Sequence, residues 1–387
     1  MDTFTVFYTG PFRYPDQDAA GKRVDQVVKI IEGLEECKHI TVGGWESGVL
    51  QEKVVSKKTR KVSFSLLGKH KKTKLLRLVN HLFMGGRVIK WMITNRNKIS
   101  LIILYNPPFV FALLSLLYAF FYKKKIALDS TEWYQSEHLP GGRFGLASIE
   151  NWSRMRIAYP LFKNVIVISD YLNDYFNNLG RNIIKIPPLA EKYNGSPKSI
   201  NTNAINFFYA GSPGKKDKLA GFVNKLISID TTMYPGVKFY IAGLTLDDFH
   251  LLYPTFVNRK EELNKICIFL GRITMTEVYS WYGKINFCVF FRDKKRYSLA
   301  GFPSKYVEAL SYGIPVVSNS IGDISLELPY IGYIFDPEKD NIKILLNELC
   351  DLSVYRNKCL NIESVFNKKY CSTANTLNVQ HFIRKIK

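Results

Sequence analysis

The chain has 387 residues, and 47% of them are apolar, which excludes an intrinsically disordered protein because that much hydrophobic surface can build cores. At about 150 residues per domain, the length predicts two or three domains. The 54 Lys and Arg residues outnumber the 33 Asp and Glu residues, and the net charge of +21 indicates an anionic partner: nucleic acid, an acidic membrane or a phosphorylated small molecule.

Short β-branched and aromatic runs alternate with helical stretches in the first half of the chain. The first predicted strand, residues 3–9, precedes a helix at 21–34 whose apolar side chains repeat on one face. The later strands are predicted at 39–42, 99–105, 125–129 and 165–169, and further helices at 148–159 and 170–179. This alternation predicts a parallel sheet covered by helices.

The longest apolar run, residues 109–122, is shorter than the roughly 20 residues needed to span a bilayer. It is predicted to be a buried helix, with an interfacial helix as the alternative. The strand close to the first residue indicates that no signal peptide opens the chain. Six cysteines without a Cys-x-x-Cys pair predict reduced thiols and no zinc site, as in a cytoplasmic protein.

A polar stretch at 190–203, with Gly, Pro and Ser and no apolar period, is predicted to be an interdomain linker. The β–α pattern then restarts, with helices predicted at 275–282 and 304–311 among its elements. The predicted fold class is therefore α/β, with two Rossmann-like, doubly wound domains facing a central cleft. The predicted domains are residues 1–190 and residues 204–365. Residues 366–387 form a helical segment that can pack across to the first domain.

One motif in the second half carries chemistry. Residues 301–318 are a glycine-containing loop, a helix, a second glycine and a buried strand. Ser304 is predicted to cap the helix, whose free N–H groups and positive end favour a phosphate. Lys305 adds a full charge, and Glu308 lies one turn further, where its carboxylate can accept hydrogen bonds from a ribose. The alternative is an ordinary crossover with a solvated Glu308.

The stretch from Phe302 to Val317 resembles the donor-binding motif of glycosyltransferase family 4, which has the GT-B fold. The run from Tyr209 to Lys216 is similar to that family's glycine turn and diphosphate-binding lysine, and Arg272 resembles a residue near the nucleobase. The resemblance implies a donor site made of Gly211, Lys215, Lys216, Arg272, Gly301, Phe302, Pro303, Ser304, Lys305 and Glu308.

The motif departs from the family pattern at one position. Many members carry a second glutamate eight residues before the one that corresponds to Glu308, and this chain has Ala300 there. The motif therefore does not identify the residue that contacts the donor sugar. The candidates are Arg292, Asp293 and Lys294 on the preceding loop.

The first domain is expected to hold the acceptor on the loop after its first strand. Gly10 allows close backbone approach there. Arg13 and Arg23 are basic candidates, with solvated surface as the alternative for both. Asp129 and Glu132 stand where the resembling family often has a histidine, and they are candidate catalytic groups together with Lys216. The alternative for Asp129 is a helix cap.

Residues 53–77 hold ten basic and no acidic residues, interrupted by apolar ones. A solvated loop is one interpretation. The other is attraction to anionic lipid, with Lys69, Lys71, Lys72 and Lys74 at the membrane surface. Nucleic acid is not an expected partner, because no recognised nucleic-acid-binding motif is present.

The sequence therefore predicts a retaining, metal-independent glycosyltransferase without a cofactor, which uses a UDP- or GDP-type sugar as donor. The expected acceptor is a saccharide or lipid-linked oligosaccharide in capsule, O-antigen or lipopolysaccharide biosynthesis. The expected location is cytoplasmic, at the inner face of the membrane. The alternatives are a nucleotide-sugar epimerase of the same fold, and a non-catalytic protein that binds nucleotide sugar or membrane.

Overall fold

The computed structural model describes residues 3–15, 18–46, 52–64, 85–193, 204–213 and 216–386. The chain divides into two compact units. The first comprises residues 1–189, 300–302 and 372–387, and the second comprises 190–299 and 303–371. Most of the predicted linker lies outside the described residues. The division near the C-terminus falls after Cys371, six residues beyond the predicted end of the second domain at 365.

The first unit contains one sheet of eight strands. In the order β3-β4-β2-β1-β5-β6-β7-β8, all neighbours are parallel except the β3–β4 hairpin. The strands are β1 (Phe4–Gly10), β2 (Cys37–Gly44), β3 (Glu52–Val54), β4 (Thr59–Ser63), β5 (Leu101–Tyr105), β6 (Lys125–Ser130), β7 (Asn164–Val167) and β8 (Asn182–Lys185). The strand order reverses at β1, which makes the gap between β1 and β5 the topological switch point.

The helices of this unit connect the parallel strands. They are α1 (Ala19–Glu32), α2 (Gly86–Thr94), α3 (Phe109–Phe121), α4 (Leu146–Ser153) and α5 (Asp170–Asn177). Asp18 caps α1 by accepting from the Gly21 N–H at 2.7 Å. The predicted helix over 148–159 is α4 followed by a π-helical turn, Arg154–Ala158.

Two predictions for the first unit are corrected. The helix α3 is not fully buried, because Leu117, Phe120 and Phe121 are exposed while its other face packs in the core. The beginning of the basic segment is a β-hairpin rather than a loop, and Lys61 there bonds inward to the Tyr14 carbonyl at 2.6 Å. The membrane candidates Lys69, Lys71, Lys72 and Lys74 lie outside the described residues.

The second unit contains a parallel sheet of six strands in the order β11-β10-β9-β12-β13-β14. The strands are β9 (Ile205–Ala210), β10 (Val237–Ala242), β11 (Cys267–Gly271), β12 (Phe287–Val289), β13 (Val316–Ser318) and β14 (Gly332–Ile334). Here the order reverses at β9, so the loops after β9 and β12 diverge and leave a crevice at the carboxyl ends of these two strands.

The helices of the second unit cover both faces of this sheet. They are α6 (Ala220–Ile227), α7 (Leu246–Leu252), α8 (Lys260–Ile266), α9 (Met275–Tyr282), α10 (Arg296–Ala300), α11 (Ser304–Ser311), α12 (Leu328–Ile331), α13 (Ile342–Leu349) and α14 (Leu352–Lys369). The predicted helices at 275–282 and 304–311 have the bounds of α9 and α11. The two doubly wound α/β domains that the sequence predicts are thus confirmed.

The last helix, α15 (Ser372–Lys385), belongs to the first unit and packs against α1 and β8. Its Val379, Phe382 and Ile383 side chains join the core beside α1. Arg384 of α15 donates to Glu36 with its Nε at 3.0 Å. Within the described residues, no helix is long and apolar enough to cross a membrane.

Candidate active site

A buried carboxylate organises the crevice of the second unit. Asp217 follows β9 and is 3% exposed. Its Oδ1 accepts from Arg292 Nε at 2.7 Å, and its Oδ2 accepts from Lys305 Nζ and from the Tyr209 hydroxyl, the latter at 2.9 Å. Two cations and one phenol therefore converge on a single carboxyl group, which leaves a net charge of +1.

The electrostatics of this cluster keep the carboxylate ionised. Burial alone would raise the pKa of Asp217, but Lys305 and then Arg292 hold it well below its ordinary value of 3.8. The Lys305 ammonium also lies 4.3 Å from the centroid of the Tyr209 ring, within the range of a cation–π contact. Asp217 and the Tyr209 ring therefore hold the Lys305 side chain in position.

Three strand ends meet at this cluster. The loop that carries Asp217 is tied to the end of β12, because the Lys218 N–H donates to the Phe291 carbonyl at 2.8 Å. Beyond β13, Asn319 accepts from the Arg292 N–H at 3.0 Å and donates to the Arg292 carbonyl at 2.7 Å. The cluster thus sits at the switch point, where ligands bind in open α/β sheets.

Glycines keep the backbone open above the cluster. A Cβ atom on Gly211 would lie 3.3 Å from Lys305 Nζ, so a side chain at this position would crowd the ammonium group. A Cβ on Gly243, at the end of β10, would lie 2.3 Å from the Gly211 carbonyl oxygen. Because these positions exclude side chains, a ligand can approach Lys305 past bare backbone.

The helix that carries Lys305 begins differently from the prediction. Pro303, not Ser304, occupies the N-cap position of α11, and no side chain caps the helix there. The physical reason is that Ser304 already has helical geometry as the first residue of the helix. Pro303 offers no side-chain acceptor, so the first N–H groups of α11 keep their capacity to bind an anion.

Lys305 and Glu308 lie three residues apart, which places them on the same side of α11. The buried side of that helix is anchored by Tyr306, whose hydroxyl donates to Glu327 at 3.0 Å. Glu327 also accepts from the Tyr370 hydroxyl at 2.7 Å. This anchor fixes the rotation of α11 and hence the direction of Lys305.

The other predicted donor residues are more scattered. Arg272 is exposed and follows the edge strand β11, two strands and about 10 Å from β9 along the sheet. Lys216 is half-buried on the loop beside Asp217, and Lys215 lies outside the described residues. Gly301 and Phe302 belong to the first unit, where Phe302 packs against the core and the Ser169 hydroxyl donates to the Ala300 carbonyl at 2.8 Å.

A second buried carboxylate lies at the switch point of the first unit. Asp129, at the end of β6, is fully buried and accepts from Arg23 Nη2 at 2.8 Å and Nε at 3.2 Å. It also accepts from the Tyr8 hydroxyl. Burial alone would lower the pKa of Arg23, but Asp129 raises it, while burial and Asp129 both raise the pKa of Tyr8.

This geometry corrects two interpretations of the sequence. Arg23 is not solvated surface, because its side chain is enclosed and also donates to the Ile186 carbonyl at 2.8 Å. Asp129 lies inside a strand and is not a helix cap. Both of its carboxylate oxygens accept hydrogen bonds, Oδ1 from Arg23 and Oδ2 from Arg23 and Tyr8. Arg13 is exposed and pairs with Asp18 at 3.0 Å.

Polar groups other than Asp129 line the carboxyl edge of the first unit. Asn106 follows β5 with a left-handed φ of 38° and donates from Nδ2 to the Thr131 hydroxyl oxygen at 2.6 Å. The next residue, Glu132, is half-buried and accepts from the Tyr134 hydroxyl at 2.5 Å. Gly10 lies at the same edge, and a Cβ there would stand 2.3 Å from the Tyr105 carbonyl oxygen.

The sequence interpretation missed Asp217 and Asn319, and it gave Tyr209 no role of its own. A signal for Asp217 was present, because it is the single acidic residue within the run Lys215–Lys218. No comparable signal marked the other two. Among the residues that the structure describes, no cluster of three or more His, Cys, Asp and Glu side chains has the arrangement of a metal site.

Comparison with known proteins identifies the second unit. Residues 204–353 match the profile of the family described as glycosyl transferases group 1. The match covers less than half of the chain, and the chain as a whole shares the GT-B fold of solved glycosyltransferases. The predicted resemblance to family 4 is thereby confirmed. No curated protein matches the sequence.

Solved structures share the fold of this chain over nearly its whole length. Sucrose-phosphate synthase from Thermosynechococcus elongatus has a TM-score of 0.74 at 12% identity, covering 99% of this chain and 98% of that one. Anabaena Alr3699/HepE in complex with UDP-glucose has a TM-score of 0.65 at 13% identity, covering 98% and 99%. WaaG, a glycosyltransferase involved in lipopolysaccharide biosynthesis, has a TM-score of 0.63 at 11% identity, covering 98% and 99%.

Proposed function

We propose that this chain is a glycosyltransferase that takes a nucleoside diphosphate sugar, of the UDP or GDP type, and transfers the sugar with retention of configuration. The observation that carries the donor proposal is the pair of cations, Lys305 and Arg292, held on Asp217 at the switch point. A diphosphate placed there would meet one surplus positive charge, the bare backbone of Gly211 and the open N-terminus of α11.

The same groups supply a rationale for catalysis. Departure of the nucleoside diphosphate develops negative charge on the leaving oxygen, and preorganised cations stabilise that charge without reorganising. Lys305 on α11, together with Lys216 on the loop next to Asp217, would do this work, so the proposed reaction needs no metal and no cofactor. UDP is the first nucleotide to test, since the similar fold of Anabaena HepE is described in complexes with UDP and UDP-glucose.

The proposed acceptor is a saccharide or lipid-linked oligosaccharide in capsule, O-antigen or lipopolysaccharide assembly, handled at the inner face of the membrane. This part rests on the basic, apolar-rich first unit and on the similarity in fold to WaaG, described as involved in lipopolysaccharide biosynthesis. The polar edge formed by Gly10, Asn106 and Glu132 is the proposed acceptor side.

One assay tests the reaction class. The full chain is incubated with UDP-, GDP- and dTDP-sugars, with and without a lipid-linked saccharide acceptor, and nucleotide release and sugar identity are measured. Release that depends on the acceptor is expected. Conversion of the sugar without acceptor would identify an epimerase instead, and binding without turnover across the panel would contradict the proposal of transfer.

Glu308→Gln is expected to weaken donor binding. A glutamine accepts weaker hydrogen bonds from ribose hydroxyls than a carboxylate does, and loss of such charged hydrogen bonds corresponds to about a 10-fold to 100-fold increase in Kd. Calorimetric titration with UDP measures this change, and Glu338→Gln, at an exposed residue of the same unit, is the matched control. An unchanged Kd would remove Glu308 from the donor site.

Glu132→Gln is expected to lower kcat about 100-fold while leaving the Kd for UDP unchanged, because a group that orients or deprotonates the acceptor hydroxyl acts on chemistry and not on donor binding. Steady-state transfer assays with saturating donor give kcat. Glu137→Gln, an exposed glutamate on the following loop, serves as control. A kcat equal to that of the control would assign Glu132 to structure through its bond with Tyr134.

A further inference from the structure

The loop between β1 and α1 is anchored by two buried aromatic side chains. The ring of Phe12 packs edge-on against the rings of Tyr8 on β1 and Tyr105 on β5, at centroid distances of 6.3 and 5.9 Å. The Tyr14 side chain is buried as well. Arg13 lies between these two anchors, and its own side chain is 55% exposed. The loop therefore presents a single arginine to solvent from a backbone that is packed on both sides.

A largely enclosed ion pair holds the backbone of this loop. Lys61 of β4 lies 2.9 Å from Glu46, just beyond β2, and their side chains are only 15% and 12% exposed. Lys61 Nζ donates to the Tyr14 carbonyl at 2.6 Å, and Glu46 Oε1 accepts from the Tyr14 N–H at 3.3 Å. The Trp45 N–H also donates to the Phe12 carbonyl at 2.9 Å. The backbone on either side of Arg13 is therefore fixed by hydrogen bonds.

Arg13 itself is fixed against the first turn of α1. Oδ2 of Asp18, the N-cap residue of that helix, accepts from Arg13 Nε at 3.0 Å and from the Arg13 N–H at 3.2 Å. A Cβ atom on Gly21 would lie 1.9 Å from the Arg13 carbonyl oxygen, so the backbone of Arg13 rests directly on the helix. In the part of the chain that the structure describes, the Nη1 and Nη2 groups of Arg13 make no hydrogen bond. Two donors of a positioned guanidinium are thus available to a ligand.

The chemistry of this arrangement favours an oxyanion. The two terminal nitrogens of a guanidinium donate parallel hydrogen bonds that match the oxygens of a carboxylate or a phosphate. Asp18 does not cancel this capacity, because exposed ion pairs are weak and its Oδ1 already accepts from the Gly21 N–H at 2.7 Å, at the positive end of α1. The loop begins after Gly10, at the switch point of the first unit, where ligands bind in open α/β sheets.

We propose that Arg13 recognises a negatively charged group, a carboxylate or a phosphate, on the saccharide acceptor. A cation held in place before binding loses little conformational entropy when the anion arrives, which favours selective recognition. Lys61 and Glu46 are positioning residues in this proposal, because they act on Arg13 through the backbone of its loop. The inference rests on the proposed function only for the identification of the anionic ligand as an acceptor.

Binding of simple sugars tests the anion site without turnover. The full chain, saturated with UDP to occupy the Asp217 cluster, is titrated with glucose-6-phosphate, methyl glucuronide and neutral methyl glucoside, and binding is followed by ligand-observed NMR. At least one anionic sugar is expected to bind about tenfold more tightly than methyl glucoside, as for a gained charged hydrogen bond. Preference for the first probe would identify a phosphate and preference for the second a carboxylate, whereas equal affinities for all three sugars would overturn the proposal.

Variants assign the preference to Arg13. Arg13→Met is expected to remove it, and Arg13→Lys to retain only part of it, because an ammonium group keeps the charge and loses the planar fork. Arg60→Met is the matched control, since Arg60 is an equally exposed arginine of the same unit that pairs with Glu52 at 3.1 Å. A preference for anionic sugars that persists in Arg13→Met, or one that disappears in Arg60→Met, would contradict the assignment.

Lys61→Met tests the positioning role. It is expected to reduce the preference for anionic sugars about threefold and to leave the affinity for methyl glucoside unchanged, because Arg13 is still present on a less ordered loop. Lys53→Met, at an exposed lysine paired with Lys61 across the β3–β4 hairpin, is the control. Loss of folding would weaken binding of all three sugars alike. A preference equal to that of Lys53→Met would reject Lys61 as a positioning residue.

These outcomes are distinguishable from failure of the proposed reaction. Anion binding that depends on Arg13, together with no acceptor-dependent nucleotide release, would leave the anion site in place and reject sugar transfer. Conversely, transfer with the same KM for acidic and neutral acceptors would support the transferase and refute the role of Arg13. With both proposals correct, Arg13→Met is expected to raise the KM for an acidic acceptor about tenfold and to leave kcat and the Kd for UDP unchanged.

Discussion

Replacing Lys305 with methionine is expected to lower kcat/KM for sugar transfer by about 10³-fold, the loss typical of removing one preorganised group that stabilises developing negative charge. The side chain retains its length and apolar stem and loses only the ammonium group. Asp217 keeps Arg292 and Tyr209 as partners, so the fold of the second unit is expected to persist. Steady-state kinetics over a range of donor concentrations measure the effect.

The matched control for this experiment is Lys339→Met, which removes a highly exposed lysine from the same unit. Its kcat/KM is expected to match wild type. Lys305→Arg preserves the charge, but the place beside Gly211 is narrow, so an intermediate activity is expected. If Lys305→Met transfers sugar as fast as Lys339→Met, the diphosphate does not lie at the Asp217 cluster.

Local sequence patterns predicted much of the architecture, and they predicted Lys305 as a donor-site residue of the Asp217 cluster. The bounds of α9 and α11 followed from apolar periodicity and from the glycines around them, and Lys305 was placed at the start of its helix. These are features of consecutive residues, which propensity and spacing can specify. The capping residue was missed by one position because proline and serine both suit the beginning of a helix.

The hydrogen-bond partners of Lys305 and Arg23 could not be predicted from the sequence, because they are distant from these residues in the chain. Asp217 is 75 residues from Arg292 and 88 from Lys305, and Arg23 is 106 residues from Asp129. A single sequence contains no signal of such pairings. Arg23 was therefore interpreted as an acceptor-side residue or as solvated surface, whereas it is buried against Asp129 in the first unit. The exposed face of α3 fits only the alternative prediction of an interfacial helix, because hydropathy does not show which side of an apolar helix is covered.

The second large effect is expected from substitution of the buried carboxylate, Asp217. Asp217→Asn is expected to reduce the free energy of unfolding of the second unit by about 3–5 kcal/mol at pH 7, because Lys305 and Arg292 would remain desolvated without their counter-ion. Urea denaturation followed by tryptophan fluorescence and circular dichroism measures the change. Asp247→Asn, at an exposed aspartate of α7, is the control and is expected to alter stability little.

The contribution of Asp217 to the free energy of unfolding is expected to decrease at acidic pH. The pKa of Asp217 is lowered in the folded state, so its contribution to stability is complete above the ordinary value of 3.8 and is lost as the pH falls further toward the folded-state pKa. The stability difference between wild type and Asp217→Asn is therefore expected to be constant at neutral pH and to shrink below that value. A difference that instead grows on acidification would contradict the assignment of Asp217 as the ionised centre.

The double variant Asp217→Asn/Lys305→Met closes a thermodynamic cycle on the pair. Because removing the carboxylate leaves the ammonium group unpaired, removing that ammonium as well is expected to recover part of the lost stability. Activity is expected to stay as low as in Lys305→Met, since the diphosphate still lacks its cation. Additive stability losses would mean that the two side chains do not interact in solution, and recovery without activity would separate the structural role of Asp217 from the catalytic role of Lys305.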